Sequence, residues 1–505
     1  FSINAGNPFA EVSRTDVGVF IQDDWRVRPN FTFSYGLRYE IQTNAHSKYD
    51  FAPRLAIAWS PGAANSGRPP KMVIRAGTGF FYNRFSEMST LNANRFNGVN
   101  VLQTFVTEDA GRLSPPTVAE QQASNVAGLY SILNQWSPTA VPSLGAITPV
   151  QQTIWRVDPN IQIPTVWLVG TQIERQLPRN VTMFVGFYNI RIVHVIRARD
   201  VNAPLPGTIT QTTPGGIRPD PAQGEIYRYE ASGQFNQRQF FIGFNSRLSR
   251  TIQFSANYNL SKSTNDTDGQ GGALFPVNSY DASGEFGRSS FDIRHRFTVF
   301  GTVNLPWWKI VLNPFVVANT GPAFNITTGQ DLNLDRQANE RPSFAGPNAN
   351  CSASTIRCTR FGNFNLVPLP GETIIPRNFG QAPGAFVVNL RVSRSFAFGD
   401  AGSGGNAARP QVANAPMMGG PRMMSGGPGG PQGGPPPSEK RFNLNVSLNF
   451  QNLFNRVNLS TPVGNLSSPS FGESLGLGGT FGPFSGGGSS GAGNRRVYAQ
   501  VRLNF

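Results

Sequence analysis

The sequence predicts an all-β chain, an antiparallel transmembrane β-barrel of about thirteen strands, and three observations carry that expectation. Segments of about ten residues alternate strictly between apolar and polar side chains, which is the length of a tilted membrane-crossing strand. Only 14% of the 505 residues are charged, against about 25% in an ordinary soluble domain. Short and long connections follow one another along the chain, the longer ones rich in Gly, Asn and Pro. No apolar run reaches the roughly eighteen residues of a helical span. A mean hydropathy of −0.26 is compatible with lipid, because only every second residue of a barrel strand must be apolar.

The alternation is clearest in three places. In FTFSYGLRYEI, Phe31, Phe33, Tyr35, Leu37, Tyr39 and Ile41 alternate with Thr32, Ser34, Gly36, Arg38 and Glu40. In TIQFSANYNLS, Ile252, Phe254, Ala256, Tyr258 and Leu260 alternate with Gln253, Ser255, Asn257, Asn259 and Ser261. In RFNLNVSLNFQ, Phe442, Leu444, Val446, Leu448 and Phe450 stand against Asn443, Asn445, Ser447, Asn449 and Gln451. A period of two scatters apolar residues around a helix, so these segments are strands. In order, the strands fall near residues 16–27, 31–41, 52–60, 72–82, 165–177, 181–192, 235–248, 251–261, 291–305, 309–319, 385–397, 441–452 and 496–505.

The turns RPN at 28–30, PRN at 178–180, SR at 249–250 and PWW at 306–308 are tight and built from Pro or small polar residues. Between them lie long stretches near 83–160, 193–234, 262–290, 320–384 and 453–494. Short periplasmic turns and long extracellular loops are the asymmetry of bacterial barrels. Trp25, Trp307 and Trp308 beside the short turns fit an aromatic girdle. With RPN periplasmic, alternating strand directions bring the thirteenth strand to the periplasm as well. Residues 399–439 are low-complexity, rich in Gly, Pro and Met, and by parity form a periplasmic turn. TVAEQQASNVAGLYSILNQ opens with a capping box, Thr117 to Glu120, and is a surface-helix candidate in an otherwise decorated loop.

The net charge of +15 is carried mostly by arginines scattered singly, which does not make the basic face or run of a nucleic-acid binder. The arginine excess reflects codon usage or pairing with lumen carboxylates and lipid headgroups, and composition alone does not choose. Arg38, Glu40, Arg75 and Arg502 are the lumen-facing candidates. In CSASTIRC the spacing favours a local disulfide between Cys351 and Cys358 over free thiols, and lacks the further ligands of a zinc site. No catalytic, cofactor-binding or metal residues are assigned, and the chain is not expected to be an enzyme. His46, His194 and His295 are far apart in sequence with no HExxH, GxSxG or P-loop pattern. Asp23 and Asp24 are adjacent, so alternation sends them to opposite faces, against an acid/base pair. TTGQDLNLD places Asp331, Asn333 and Asp335 like the start of a calcium loop, without the Gly and the distal Glu of that motif.

The final strand, VYAQVRLNF, alternates Val497, Ala499, Val501, Leu503 and Phe505 with polar residues, and its aromatic end resembles the signal read by the barrel assembly machinery. FIQDDWRVRPNFTFSYGLRYE, from Phe20 to Glu40, resembles paired barrel strands of TonB-dependent receptors. FDIRHRF at 291–297, NTGPAFNITTGQDLN at 319–333 followed by Arg341 and Pro342, FQNLFNRVNLSTP at 450–462 and SPSFG at 468–472 are similar to the Oar-like subgroup. Members of that subgroup carry a carboxypeptidase-regulatory-like domain ahead of the plug. The likeness spans nearly the whole chain in the right order.

The resemblance implies outer-membrane transport or receptor activity in a Gram-negative bacterium, on substrates larger than siderophores such as peptides or glycans. It implies outer-membrane lipid and lipopolysaccharide, the barrel assembly machinery, the TonB system and an unknown substrate as partners. Plug, TonB box and regulatory-like domain are absent from the sequence, and thirteen strands fall short of the roughly 22 of a plugged transporter. FSINAGNP carries neither an initiator Met nor a signal peptide, so the chain is expected to be the later, C-terminal part of such a barrel. Two rivals stand beside this expectation. One is a passive porin whose ion selectivity is set by the lumen candidates. The other is a structural surface assembly in which strands pair between chains.

Overall fold

The computed structural model describes residues 2–62, 70–105, 152–210, 212–247, 249, 251–268, 275–401, 440–478 and 493–504. Within them one large sheet runs in sequence order through thirteen strands: β1 (Asp16–Arg28), β2 (Phe31–Gln42), β3 (Asp50–Trp59), β4 (Met72–Tyr82), β5 (Thr165–Leu177), β6 (Val181–Asp200), β7 (Ile226–Arg247), β8 (Ile252–Asn265), β9 (His295–Leu305), β10 (Ile310–Asn319), β11 (Ala385–Ala401), β12 (Lys440–Gln451) and β13 (Arg496–Asn504). Every neighbouring pair is antiparallel, as hairpin connections require. Among the described residues no register joins β1 to β13; these are the sheet's two edges, and all of β1 is exposed.

The faces of the sheet invert the usual rule of burial. Along β8, Ser255, Asn257, Ser261 and Ser263 are buried while Ile252 and Leu260 are exposed. Along β12, Asn445 and Ser447 are buried and Leu448 is 44% exposed. Such a surface is stable where the outer solvent is hydrocarbon and the inner face is polar. The polar side chains bond across strands: Gln239 Nε2 donates to Asn259 Oδ1 at 2.8 Å, Ser255 Oγ to Asn245 Oδ1 at 2.7 Å, and Asn445 Nδ2 to Ser395 Oγ at 2.9 Å. Trp25, Trp307 and Trp308 stand exposed beside the tight turns, at one end of the sheet.

All thirteen predicted strands are present, and the differences lie at strand ends and in the loops. β6 and β7 are longer than alternation suggested, and they take in residues read as loop. Their extensions have Val195, Ile196, Arg197, Ala198, Tyr227 and Tyr229 buried, and a strand covered on both faces has no reason to alternate. Residues 291–294 lie outside the strand, as a turn residue followed by irregular chain, where Asp292 folds back to accept a hydrogen bond from the Ser263 N–H at 2.9 Å. Residues 399–401, read as part of the low-complexity tract, belong to β11, which closes on a register shift with Gly399 at φ 85°. The first long loop has a helix, α1 (Glu87–Arg95), capped by Ser86 whose Oγ accepts from the Met88 N–H at 3.2 Å. Its short, weakly patterned sequence gave no helical period. The 117–135 candidate helix, residues 402–439 and Phe505 lie outside the described residues.

The loops at the other end fold into a core of ordinary polarity. Phe324, Ile326, Phe364, Leu366, Ile375, Ala382 and Leu466 are buried together, drawn from 320–384 and 452–495. A second cluster, with Phe85, Ile161, Ile163, Ile196, Ala198 and Tyr229, sits over the extended β6 and β7. The exposed side chains of the wall and the buried side chains of the loops are thus the same residue types in different solvents.

Candidate functional site

The sheet's polar face and the loop end that adjoins it make up the candidate site. Cross-strand partners share a face, so registers locate the sequence candidates. Arg38 and Glu40 form an ion pair at 2.6 Å on the face that also carries Gln42, whose Nε2 donates to the Phe85 carbonyl at 2.9 Å. Arg75 lies opposite Ala58 and Gln172 and pairs with Glu174 at 3.1 Å. Arg502 lies opposite Asn445 on an exposed edge strand, while Val501 and Leu503 are exposed on either side of it. The structure does not gather these four charged residues into one cluster. Asp23 accepts from Tyr35 Oη at 3.2 Å and Asp24 from Ser34 Oγ at 2.5 Å, on opposite faces as alternation requires.

The polar face is not uniformly polar. On β6 it carries Phe184 and Tyr188, since they share register with Glu174 and Gln239, and their rings lie 6.2 and 6.1 Å from that of Phe241. Gly186 makes room for Phe241, and a Cβ there would meet the ring.

The ionic side chains sequence reasoning missed are at the loop end. Glu285, in the turn Ser283–Glu285, receives Arg341 and Arg377, each at 2.9 Å, and all three are buried. Arg377 also reaches the Asp266 carbonyl at 2.9 Å, and Asp268 at 3.4 Å. Asp266 pairs with Arg197 of β6 at 2.7 Å, and Asn378 Nδ2 donates to Asp268 at 2.8 Å. Buried charges persist only when paired, and each carboxylate of this set has an arginine partner, so the set ties two loops and a strand together. Cys351 and Cys358 are joined in a disulfide on the same long loop.

A second set is differently composed. Asp200 ends β6, Glu225 precedes β7, and Asp331, Asp335 and Glu340 come from the loop 320–384. Among the described residues, the cations ion-paired with these carboxylates are Arg218, at 3.7 Å from Asp200 and 3.0 Å from Glu225, and Arg336, at 2.8 Å from Glu225. One carboxylate oxygen from each of Asp331, Asp335 and Glu340 lies within 4.8 Å of the other two. Burial, and then the neighbouring carboxylates, push Asp335 up to about 7 and Glu340 up to about 9. Burial raises Asp331 as well. The turn rests on Tyr227, whose Oη donates to the Asp335 carbonyl at 3.3 Å and accepts from Gln337 Nε2 at 3.2 Å.

An inverted antiparallel sheet with a folded loop end defines a membrane β-barrel protein. The chain matches the family model described as outer membrane beta barrel domain over residues 1–50 and 42–405, and it belongs to that family. Its place is accordingly the outer membrane of a Gram-negative bacterium. No curated protein matches it. Among solved structures it is similar to the outer membrane transporter YddB from Escherichia coli, at 11% identity and a TM-score of 0.48 over 97% of this chain and 44% of that one. It is also similar to the FrpB iron transporter from Neisseria meningitidis, at 10% identity and 0.44 over 97% and 45%. The ferripyoverdine receptor of Pseudomonas aeruginosa matches at 8% identity and 0.40 over 91% and 37%. The chain thus spans less than half the length of these solved proteins.

Proposed function

We propose that the chain is the later-strand portion of a TonB-dependent outer-membrane transporter of the Oar-like subgroup. Its folded loops capture a substrate and its polar face lines the path. The observation that carries the reading is the ordered set of motifs, several of which build the loop end. Asp292 of FDIRHRF anchors the turn before β9, Arg341 joins the Glu285 cluster, and Asn452 and Asn458 of FQNLFNRVNLSTP are buried beside β11. The Oar-like resemblance favours a ligand larger than a siderophore, a peptide or a glycan, and the aromatic residues on β6 and β7 offer apolar contacts on the path. Energy from the TonB system would act through a plug encoded outside this sequence. The intact gene's product should be nearly silent in single-channel recording, and its uptake activity should vanish in a strain without TonB. A large, ohmic conductance would instead make it a passive porin.

A structural reading has one observation in its favour, the wholly exposed edge strand β1, which is a template for pairing with another chain. Heat-modifiable migration of the intact product in detergent supports a closed barrel, and fibrous particles support the structural reading.

A further inference from the structure

The two buried carboxylate sets differ in charge balance. Asp266, Asp268 and Glu285 are matched by Arg197, Arg341 and Arg377. Asp200, Glu225, Asp331, Asp335 and Glu340 have Arg218 and Arg336 as their described ion-pair partners. Glu340 is only 5% exposed; one of its oxygens accepts from the Leu332 N–H at 3.1 Å, and Oε2 is buried without any hydrogen-bond partner. The two oxygens of one carboxylate are close neighbours, so the unsatisfied one is at the cluster. A buried acceptor with nothing to accept is costly.

We propose that Asp331, Asn333, Asp335 and Glu340 bind a calcium ion that completes the loop end. Oxygens on opposite sides of one calcium are about 5 Å apart, twice a bond of roughly 2.3–2.6 Å, and the three carboxylates meet that spacing within 4.8 Å. The turn is already wound for a cation. The Asp335 and Arg336 N–H groups donate to the Asp331 carboxylate at 3.2 and 2.8 Å, and Asn333 Oδ1 accepts from the Asp335 N–H at 3.0 Å. The sixth residue counted from Asp331 is Arg336, at φ 64°, the left-handed conformation for which calcium loops use Gly. Glu340 supplies the distal acid from the tenth place. Asn333 Nδ2 donates to the Val277 carbonyl at 2.7 Å, so the ion would fasten 320–384 to the neighbouring loop and, through Tyr227, to β7.

The test uses the full chain, purified in detergent, stripped with chelator and titrated with calcium chloride by calorimetry. The expected result is one calcium per chain, with magnesium bound at least about tenfold more weakly. Glu340→Gln and Asp335→Asn should each weaken calcium binding at least about tenfold, since affinity follows the ligand charge count. In chelator, Glu340→Gln should melt no lower than the parent, and with calcium the order should reverse. Folded parent protein that takes up no calcium at millimolar concentration overturns the proposal, as does unchanged affinity in both variants. Should both variants fail to fold, the parent's titration decides by itself. The result is independent of the transport reading, because it needs no substrate or TonB.

Discussion

Along β12 Asn445 and Ser447 are buried and Leu448 is exposed, whereas at the loop end Phe324, Ile326, Phe364 and Ile375 are buried. One chain therefore places the same apolar residue types outside in the wall and inside in the loops. Burial by itself does not say which residues hold the molecule together; the solvent each surface meets does. In the wall, hydrogen bonding around the sheet and lipid contact outside supply the stability. In the loops, water on the outside restores the ordinary hydrophobic effect, and buried ion pairs add specificity at the cost of desolvation.

The largest expected effect sits where the loop end departs most from the wall. Glu285→Ala would leave Arg341 and Arg377 buried without their shared carboxylate, which costs about 3–5 kcal/mol. Urea unfolding in lipid vesicles, followed by proteolysis of the loops, measures it. A loss under about 1 kcal/mol would mean that water reaches the cluster. In the wall the corresponding error is a charge in lipid. Leu448→Arg should cost about 2–4 kcal/mol if the residue is near mid-membrane, while Asn449→Arg on the polar face should cost far less. Equal costs would show that the two faces are not in different solvents.

Gly329 sharpens the comparison within the loop. At φ 76° it is in the left-handed region, and a Cβ there would strike the Asn465 side chain. Gly329→Ala should cost about 1–3 kcal/mol. Faster hydrogen exchange should appear in residues 326–340, with β8 and β12 unchanged. Spread of the effect into those strands would mean that loop and wall unfold as one unit.

The wall was legible because lipid enforces a period of two, so β2, β8 and β12 could be read residue by residue. Alternation failed where that cause fails. The far ends of β6 and β7 rise into the loops, and with Val195 and Ala198 covered no two-residue rhythm survives. The ionic clusters were hidden for another reason. Glu285, Arg341 and Arg377 are far apart in sequence and meet only through loop packing. Asp331, Asn333 and Asp335 were visible as a spacing, but Glu340 was passed over because it stands at the tenth place and not the twelfth, and Arg336 occupies the place of the expected Gly. Strand parity put Arg38 and Glu40 on one face, but their ion pair, like the neighbours of Arg75 and Arg502, came only from the structure.

The smallest effect separates the regions most cleanly, because it changes volume and not charge. Ile326 is fully buried among Phe324, Phe364 and Ile375. Ile326→Val should cost about 0.5–1.5 kcal/mol, since a packed protein core closes only partly over a lost methylene. Leu448→Val deletes a similar group from the outer face, where fluid acyl chains flow into the space and no cavity persists, so its cost should be near the bare transfer difference between two lipid-exposed side chains. Unfolding of both variants in the same vesicles gives the comparison. A larger penalty at Leu448 than at Ile326 would place Leu448 in a protein interface, and β12 would then face another chain or further strands instead of lipid.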